Sequence, residues 1–296
     1  MGDDAIILLI GGAAAYCFYL QNVETPFARL LVIFMICLLV HFCFLKFART
    51  MRNKSEYNNN NIIMKPLLTI VITSSPIPSH PSIEVIKATI DSLSYLTLPP
   101  NTPVILTHDF GESESYDQYL KTLGSYIQDK PNVKIVKKPS PRGYLTGNLK
   151  YAMDFVHTKY ILKLEHDTPF IAPVNMIHVI EDMIHRPELK HVRFNIRHNV
   201  KIGSDALNDL FGNQLDAIHQ TYTRTPSWSD QNHITTTDYY RNIVFVEGHP
   251  QFPERNLIKR SVNQSIHNKY GTYLYGPLNY PARTKHMDGR NYKRNL

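Results

Sequence analysis

Glu165, His166 and Asp167 close an apolar stretch, "YILKLE" (Tyr160–Glu165), that reads as a buried strand. Two carboxylates one residue apart at a strand end can hold a divalent cation, with the residue between them facing the other way. Oxygen donors suit the hard ions Mg2+ and Mn2+. Such an ion bridges the two phosphates of a nucleotide and offsets charge as phosphate leaves. The same residues also fit a plain strand-end turn, because Asp167-Thr168-Pro169 can stop the strand and start a loop. On either reading His166 points away from its acidic neighbours and packs.

The elements that would position this acidic pair begin near Lys65. "LLTIVIT", "PVILTHD", "NVKIVKK" and "YILKLE" have strand length and alternate with "SIEVIKATIDSLSYL", "YDQYLKTLGSYI" and "LTGNLKYAMDFV", which have helical apolar spacing. Strand–helix alternation predicts an α/β domain, with a mostly parallel sheet flanked by helices. Ligands of such sheets bind beyond the carboxyl ends of the strands, which is where Glu165 and Asp167 stand. Further on, "KHVRFNIR" and "GTYLYG" read as strands, and "DYYRNIVF" and "PERNLIKRSVNQSIHNKY" as helices.

A different composition precedes this domain. "FARLLVIFMICLLVHFCFLKFA" (Phe27–Ala48) is long enough to cross a bilayer, and Ala5–Leu20 is slightly short of the ~20 residues required. The two runs predict a membrane-anchor helical hairpin of one or two transmembrane helices. "NKSEYNNNN" then reads as a polar linker, so anchor and linker occupy 1–61 and the α/β domain 62–296. Lys46, Arg49, Arg52 and Lys54 follow the second run, which places the C-terminal domain on the cytoplasmic side. Cys17, Cys37 and Cys43 all lie in these runs, so the α/β domain has no disulfide, thiolate metal site or cysteine nucleophile. The net charge of +7 over 296 residues favours acidic ligands or a membrane surface. Without a Lys/Arg-rich run, nucleic acid is not an expected partner.

In the order of its elements the domain resembles the GT-A glycosyltransferases, most closely the family-2 type, over roughly 67–170. Four features carry the resemblance: the first strand followed by "IEVIKATIDSL"; Asp109 ending the second strand; "SPRGYLTGNLKYAM" with Gly143 and Asn148 opening the helix before the metal strand; and Glu165-His166-Asp167 in the place of a D-x-D motif. The resemblance implies a Rossmann-like GT-A fold. It also implies Mn2+ or Mg2+ held by Glu165 and Asp167, a nucleotide-diphosphate sugar as donor, and Asp109 near the nucleobase. Gly143 and Asn148 would belong to the donor site. Glu165 stands where the family has Asp, and the family's Gln-x-x-Arg-Trp element is absent.

The remaining candidates follow from this frame. Ser74 opens a stiff loop, "SSPIPSHP", that either cradles the nucleotide or simply punctuates the chain. Arg142 is a candidate phosphate contact or a solvated loop arginine. "PSWSDQNHITT" holds the single tryptophan: Trp228 and Asp230 fit an acceptor platform with a general base, and equally a core residue beside a helix cap. Glu247 is a second candidate base. In "KHMDGRN", His286 is a candidate third metal ligand, and Lys285 and Arg290 are candidate phosphate contacts. The expected activity is inverting transfer of a sugar to a hydroxyl of a glycan, glycoprotein or glycolipid acceptor. The alternatives are a sugar-nucleotide nucleotidyltransferase and a catalytically inactive glycan-binding membrane protein.

Overall fold

The computed structural model describes residues 66–199, 210–211 and 222–287. The chain divides between Met64 and Lys65 into two units, and the second carries every element described below. The predicted anchor and linker lie outside the described residues. Among the described residues no helix is long and apolar enough to cross a membrane.

The strands in chain order are β1 (Leu68–Ser74), β2 (Leu96–Thr97), β3 (Val104–His108), β4 (Val133–Lys137), β5 (Tyr160–Glu165) and β6 (Val174–Asn175). They continue with β7 (His191–Arg193), β8 (Leu210–Phe211), β9 (Tyr222–Arg224), β10 (His233–Thr236) and β11 (Thr272–Tyr275). Nine of them form one sheet in the order β4-β3-β1-β5-β10-β7-β11-β9-β8, and β2 pairs with β6 separately. β4, β3, β1 and β5 run parallel, whereas β10 is antiparallel to both β5 and β7. This is the mostly parallel α/β arrangement expected from the alternation of strands and helices. β1 is buried along its whole length, which explains why its sequence, LTIVITS, carries no charge and only small hydroxyl residues among the apolar ones. β4 is an edge strand and carries Lys134 and Lys137, charges that discourage pairing with another chain.

Alternate residues of the central strands serve opposite faces. Ile70, Ile72, Leu106, Leu162 and Leu164 pack with α1 (Glu84–Asp91), α2 (Glu114–Tyr126) and a helix at Met176–His185. Val71, Ile105 and Ile161 pack on the other face with α3 (Tyr144–Ala152) and with helical residues Tyr239, Tyr240, Val244 and Leu257. The result is a three-layer sandwich. From β1 the chain builds outward through β3 to β4, then crosses to β5 on the other side of β1. That reversal opens a crevice at the carboxyl ends of β1 and β5, where side chains from both halves of the sheet face one another.

The C-terminal half departs from the sequence expectations. Met176–His185 is a helix where no element is expected. The span expected to be one helix, Pro253 to Tyr270, breaks into Glu254–Ser261 and His267–Tyr270 around a short 3-10 turn. "HITT" forms β10, so Ser229 and Asp230 lead into a strand and cap no helix. Trp228 is 1% exposed in the second core cluster, and its backbone N–H donates to Ser261 Oγ at 2.8 Å. It is a core residue and offers no platform. Trp228→Ala is expected to cost about 3–5 kcal/mol, as large aromatic truncations in cores do. A solvent-facing platform would leave the melting temperature nearly unchanged, so thermal denaturation separates the two.

Candidate functional site

A cavity of about 310 Å³ occupies the crevice between the carboxyl ends of β1 and β5. Three groups of side chains border it. Thr73, Ser74, Ser75 and Ile77 come from the end of β1 and its loop. Asp109, Arg142, Tyr144, Leu145, Asn148 and Phe252 come from the β3 side. Glu165, His166, Asp167, Asp230 and His286 come from the β5 side.

On the β5 side, the antiparallel direction of β10 is decisive. His233 pairs with Lys163, so the chain entering β10 arrives at the carboxyl end of β5 and delivers Asp230 beside Glu165 and Asp167. Asn232 fixes the approach. Its Oδ1 accepts from the Glu165 N–H at 2.9 Å and its Nδ2 donates to Thr168 O at 2.6 Å. Lys163 lies fully buried beneath the acids, where its ammonium donates to Asp230 O and meets Glu165 Oε1 at 3.4 Å. Burial pushes the Asp230 carboxyl up to about 7; the Lys163 charge opposes the shift, and Glu165 and Glu254 add to it.

The C-terminal strap comes in beside this acidic turn. Thr284 bridges Phe170, the Lys285 N–H donates to Pro169 O, and the Met287 N–H donates to Asp167 O at 2.8 Å. These contacts place His286 Nε2 3.3 Å from Asp167 Oδ2. Among the described residues no group of three His, Cys, Asp or Glu side chains forms a metal cage. The expected trio of Glu165, Asp167 and His286 therefore does not close, because the Glu165 carboxylate turns toward Lys163 and Thr168. Asp167 and His286 supply one oxygen and one nitrogen donor at the cavity wall. That pair would hold a divalent ion such as Mn2+ or Mg2+ by two protein donors.

On the β3 side, Asp109 is 1% exposed and its carboxylate acts as the missing cap of α3. Gly143, at the N-cap, has no side-chain cap of its own. Asp109 Oδ1 accepts from the Gly143 N–H at 2.8 Å and the Phe110 N–H at 2.9 Å, and Oδ2 accepts from the Tyr144 N–H at 2.8 Å. The orphan amides and positive dipole end of the helix explain why a buried carboxylate is tolerated here. Asn148 is similarly committed: Nδ2 donates to Ser74 O at 3.0 Å and Thr107 O at 3.2 Å, and Oδ1 accepts from Thr107 Oγ1 at 2.6 Å. Its amide ties α3 to the ends of β1 and β3.

Of the other predicted residues, Ser74 and Arg142 border the cavity; Ser74 Oγ is 3.4 Å from Tyr119 Oη, and Arg142 Nε is 3.6 Å from Asp109 Oδ2. Gly143 spends its N–H on Asp109 and stands behind the wall. Lys285 is exposed outside the lining, and Arg290 lies outside the described residues. The reading of Glu247 as a base is corrected. Its carboxylate pairs with Lys269 at 2.6 Å and Arg260 at 3.3 Å and accepts from Tyr270 Oη at 2.8 Å, which clamps two helical segments. His166 is among the residues that border the cavity, one position past the end of the strand at Glu165.

Sequence reasoning missed Lys163, Tyr144, Phe252 and Asn232. A lysine inside an otherwise apolar strand was a readable signal for the first; nothing local marks the other three. No family model and no curated protein matches this sequence.

Solved structures do show likeness. S. aureus TarS aligns at 12% identity over 74% of this chain and 36% of that chain, with a TM-score of 0.45. TarS 1-349 in complex with UDP-GlcNAc aligns at 12% identity over 74% of this chain and 57% of its own, TM-score 0.43. The mannosyltransferase PcManGT from Pyrobaculum calidifontis, in complex with GDP-Man and Mn2+, aligns at 12% identity over 73% and 56%, TM-score 0.47. This chain thus spans less than two thirds of the structures it matches, and likeness at this level assigns it no chemistry.

Asp109→Asn tests the capping geometry. An amide would turn its own N–H2 toward a backbone donor. The change is expected to cost about 1–3 kcal/mol of stability, the range for a buried group left without its partner. Urea titration reads this directly; an unchanged midpoint would mean the carboxylate does not hold α3.

Proposed function

We propose that this chain is a glycosyltransferase that moves a sugar from a nucleotide-diphosphate sugar to a hydroxyl of a glycan, glycoprotein or glycolipid, with inversion at the anomeric carbon. The observation that carries the reading is one crevice in which a cation-competent Asp167–His286 pair faces a carboxyl, Asp230, that burial has brought near neutrality. A base works best when its pKa lies near the working pH, which favours Asp230 for proton transfer.

The reaction needs three things from the chain. Asp230 accepts the proton of the acceptor hydroxyl as that oxygen attacks the anomeric carbon. The bond from that carbon to the β-phosphate oxygen breaks, and the diphosphate leaves with the electron pair. Arg142 draws the donor's negative end into the crevice, while Lys163 and Asn232 hold Asp230 and the acidic turn in register. A Mn2+ or Mg2+ ion on Asp167 and His286 would supply charge neutralisation at the departing diphosphate. No protein nucleophile takes part. The apolar run Phe27–Ala48 and the cations after it support membrane anchoring with this domain facing the cytoplasm.

Release of nucleoside diphosphate from a panel of UDP- and GDP-sugars with Mn2+ tests the proposal. Asp167→Ala is expected to abolish metal-stimulated release; retention of full metal-dependent activity would sink it. Asp230→Asn is expected to lower turnover by at least ~100-fold, the lower bound for losing a general base, while leaving donor affinity intact.

The pH dependence follows from the raised Asp230 carboxyl. Activity rises as pH passes through about 7 and the base ionises. Folding stability runs the opposite way: between its ordinary 3.8 and about 7 the folded carboxyl keeps a proton that the unfolded chain has lost. Stability therefore falls as pH rises through that window, and Asp230→Asn is expected to flatten this decline in thermal melts from pH 5 to 8. A parallel decline in the variant would mean the carboxyl is not held up.

A further inference from the structure

Tyr144 is the residue most at odds with its backbone. Its φ is +53°, in the left-handed region that side chains rarely adopt. The strain is held in place by the Asp109 carboxylate on its N–H. A helix start at this point could be built more cheaply with glycine, so the ring has been kept at a cost, and such outliers gather where a side chain must be aimed. The ring is half-buried at the cavity wall. It meets Phe252 edge-on at 5.6 Å between centroids, and the Arg142 guanidinium lies 5.1 Å from its centroid. The Phe252 loop is itself fastened to α3, because Thr146 donates to Gln251 O through its N–H at 3.0 Å and to His249 O through Oγ1 at 2.8 Å.

A nucleotide sugar has one planar aromatic part, its base, and one highly anionic part, its diphosphate. The cavity has one aromatic flank, on the β3 side, and one cation-competent flank, on the β5 side. Asp109 does not spoil the aromatic flank, since three backbone N–H groups already compensate its charge.

We infer that Tyr144 and Phe252 form the wall on which the donor's nucleobase stacks, with Arg142 as the adjoining cation, and that Asp109 acts there as a positioning residue through the Tyr144 backbone. This rests on the nucleotide-sugar reading given above. Recognition by stacking tolerates different bases, because every base has a π-face, so uridine and guanosine diphosphate both bind.

Calorimetry with uridine diphosphate, guanosine diphosphate and inorganic pyrophosphate, each with and without Mn2+, tests it on the full chain. Tyr144→Gly keeps the N–H to Asp109 and suits the left-handed backbone, so the fold survives while the ring is lost. It is expected to weaken both nucleotides about tenfold and leave pyrophosphate unchanged; Tyr144→Phe stays within about twofold of wild type. Undiminished nucleotide affinity in Tyr144→Gly, or equal weakening of pyrophosphate, overturns the stacking wall alone. Wild-type protein that binds neither nucleotide nor pyrophosphate overturns the nucleotide-sugar reading, and the wall with it.

Discussion

The whole crevice depends on one buried cation. Glu165, Asp167 and Asp230 gather at the carboxyl end of β5, and like charges at such range repel one another. Lys163 stands beneath them with no exposure, bonded to Asp230 O and 3.4 Å from Glu165. Attraction between unit charges about 4 Å apart is worth ~4 kcal/mol at an effective dielectric near 20. Desolvating each ion costs several kcal/mol, which matches or exceeds that attraction, so the pair by itself adds no stability. The bond to the Asp230 carbonyl tips the balance, because it gives the ammonium a partner the carboxylate alone cannot provide. Lys163 thereby fixes the backbone of the loop that carries the proposed base. It also limits how far burial raises that base.

A second carboxylate solves a different problem on the other side of β1. Asp109 terminates β3 and caps α3 from a distance, which ties the strand end to the helix that follows β4. Asn148 stitches the same helix to Ser74 and Thr107. Two residues that resemblance assigns to the donor are thus spent largely on architecture. Their effect on a ligand passes through what they hold: Tyr144 in its strained conformation, and the Ser74 loop in its place. A motif can therefore keep its position while the atoms facing the ligand belong to its neighbours.

Much of this was legible in order along the chain. The apolar strands from Leu68 to Glu165, the helices between them and the acidic strand end are local patterns, set by burial on both faces of a parallel sheet. The sheet rule then placed Glu165 and Asp167 at the carboxyl edge, and the resemblance added Asp109. The C-terminal half was less legible because its elements are short and mixed. "HITT" is only four residues long, and Trp228 next to Asp230 looks the same whether the ring faces solvent or core. Glu247 likewise shows no local sign of the Lys269 and Arg260 partners that occupy it.

What the sequence determined by itself was the kind of sheet and the edge on which charge collects, because apolar periodicity and strand order follow from neighbouring residues. What only the tertiary structure decided was which charges meet. β10 runs antiparallel between β5 and β7, and that direction alone carries Asp230 to Glu165 from 65 positions away. The return of 284–287 along the acidic turn sets His286 against Asp167 for the same reason: contacts between distant segments depend on chain direction and packing, and no local pattern encodes them.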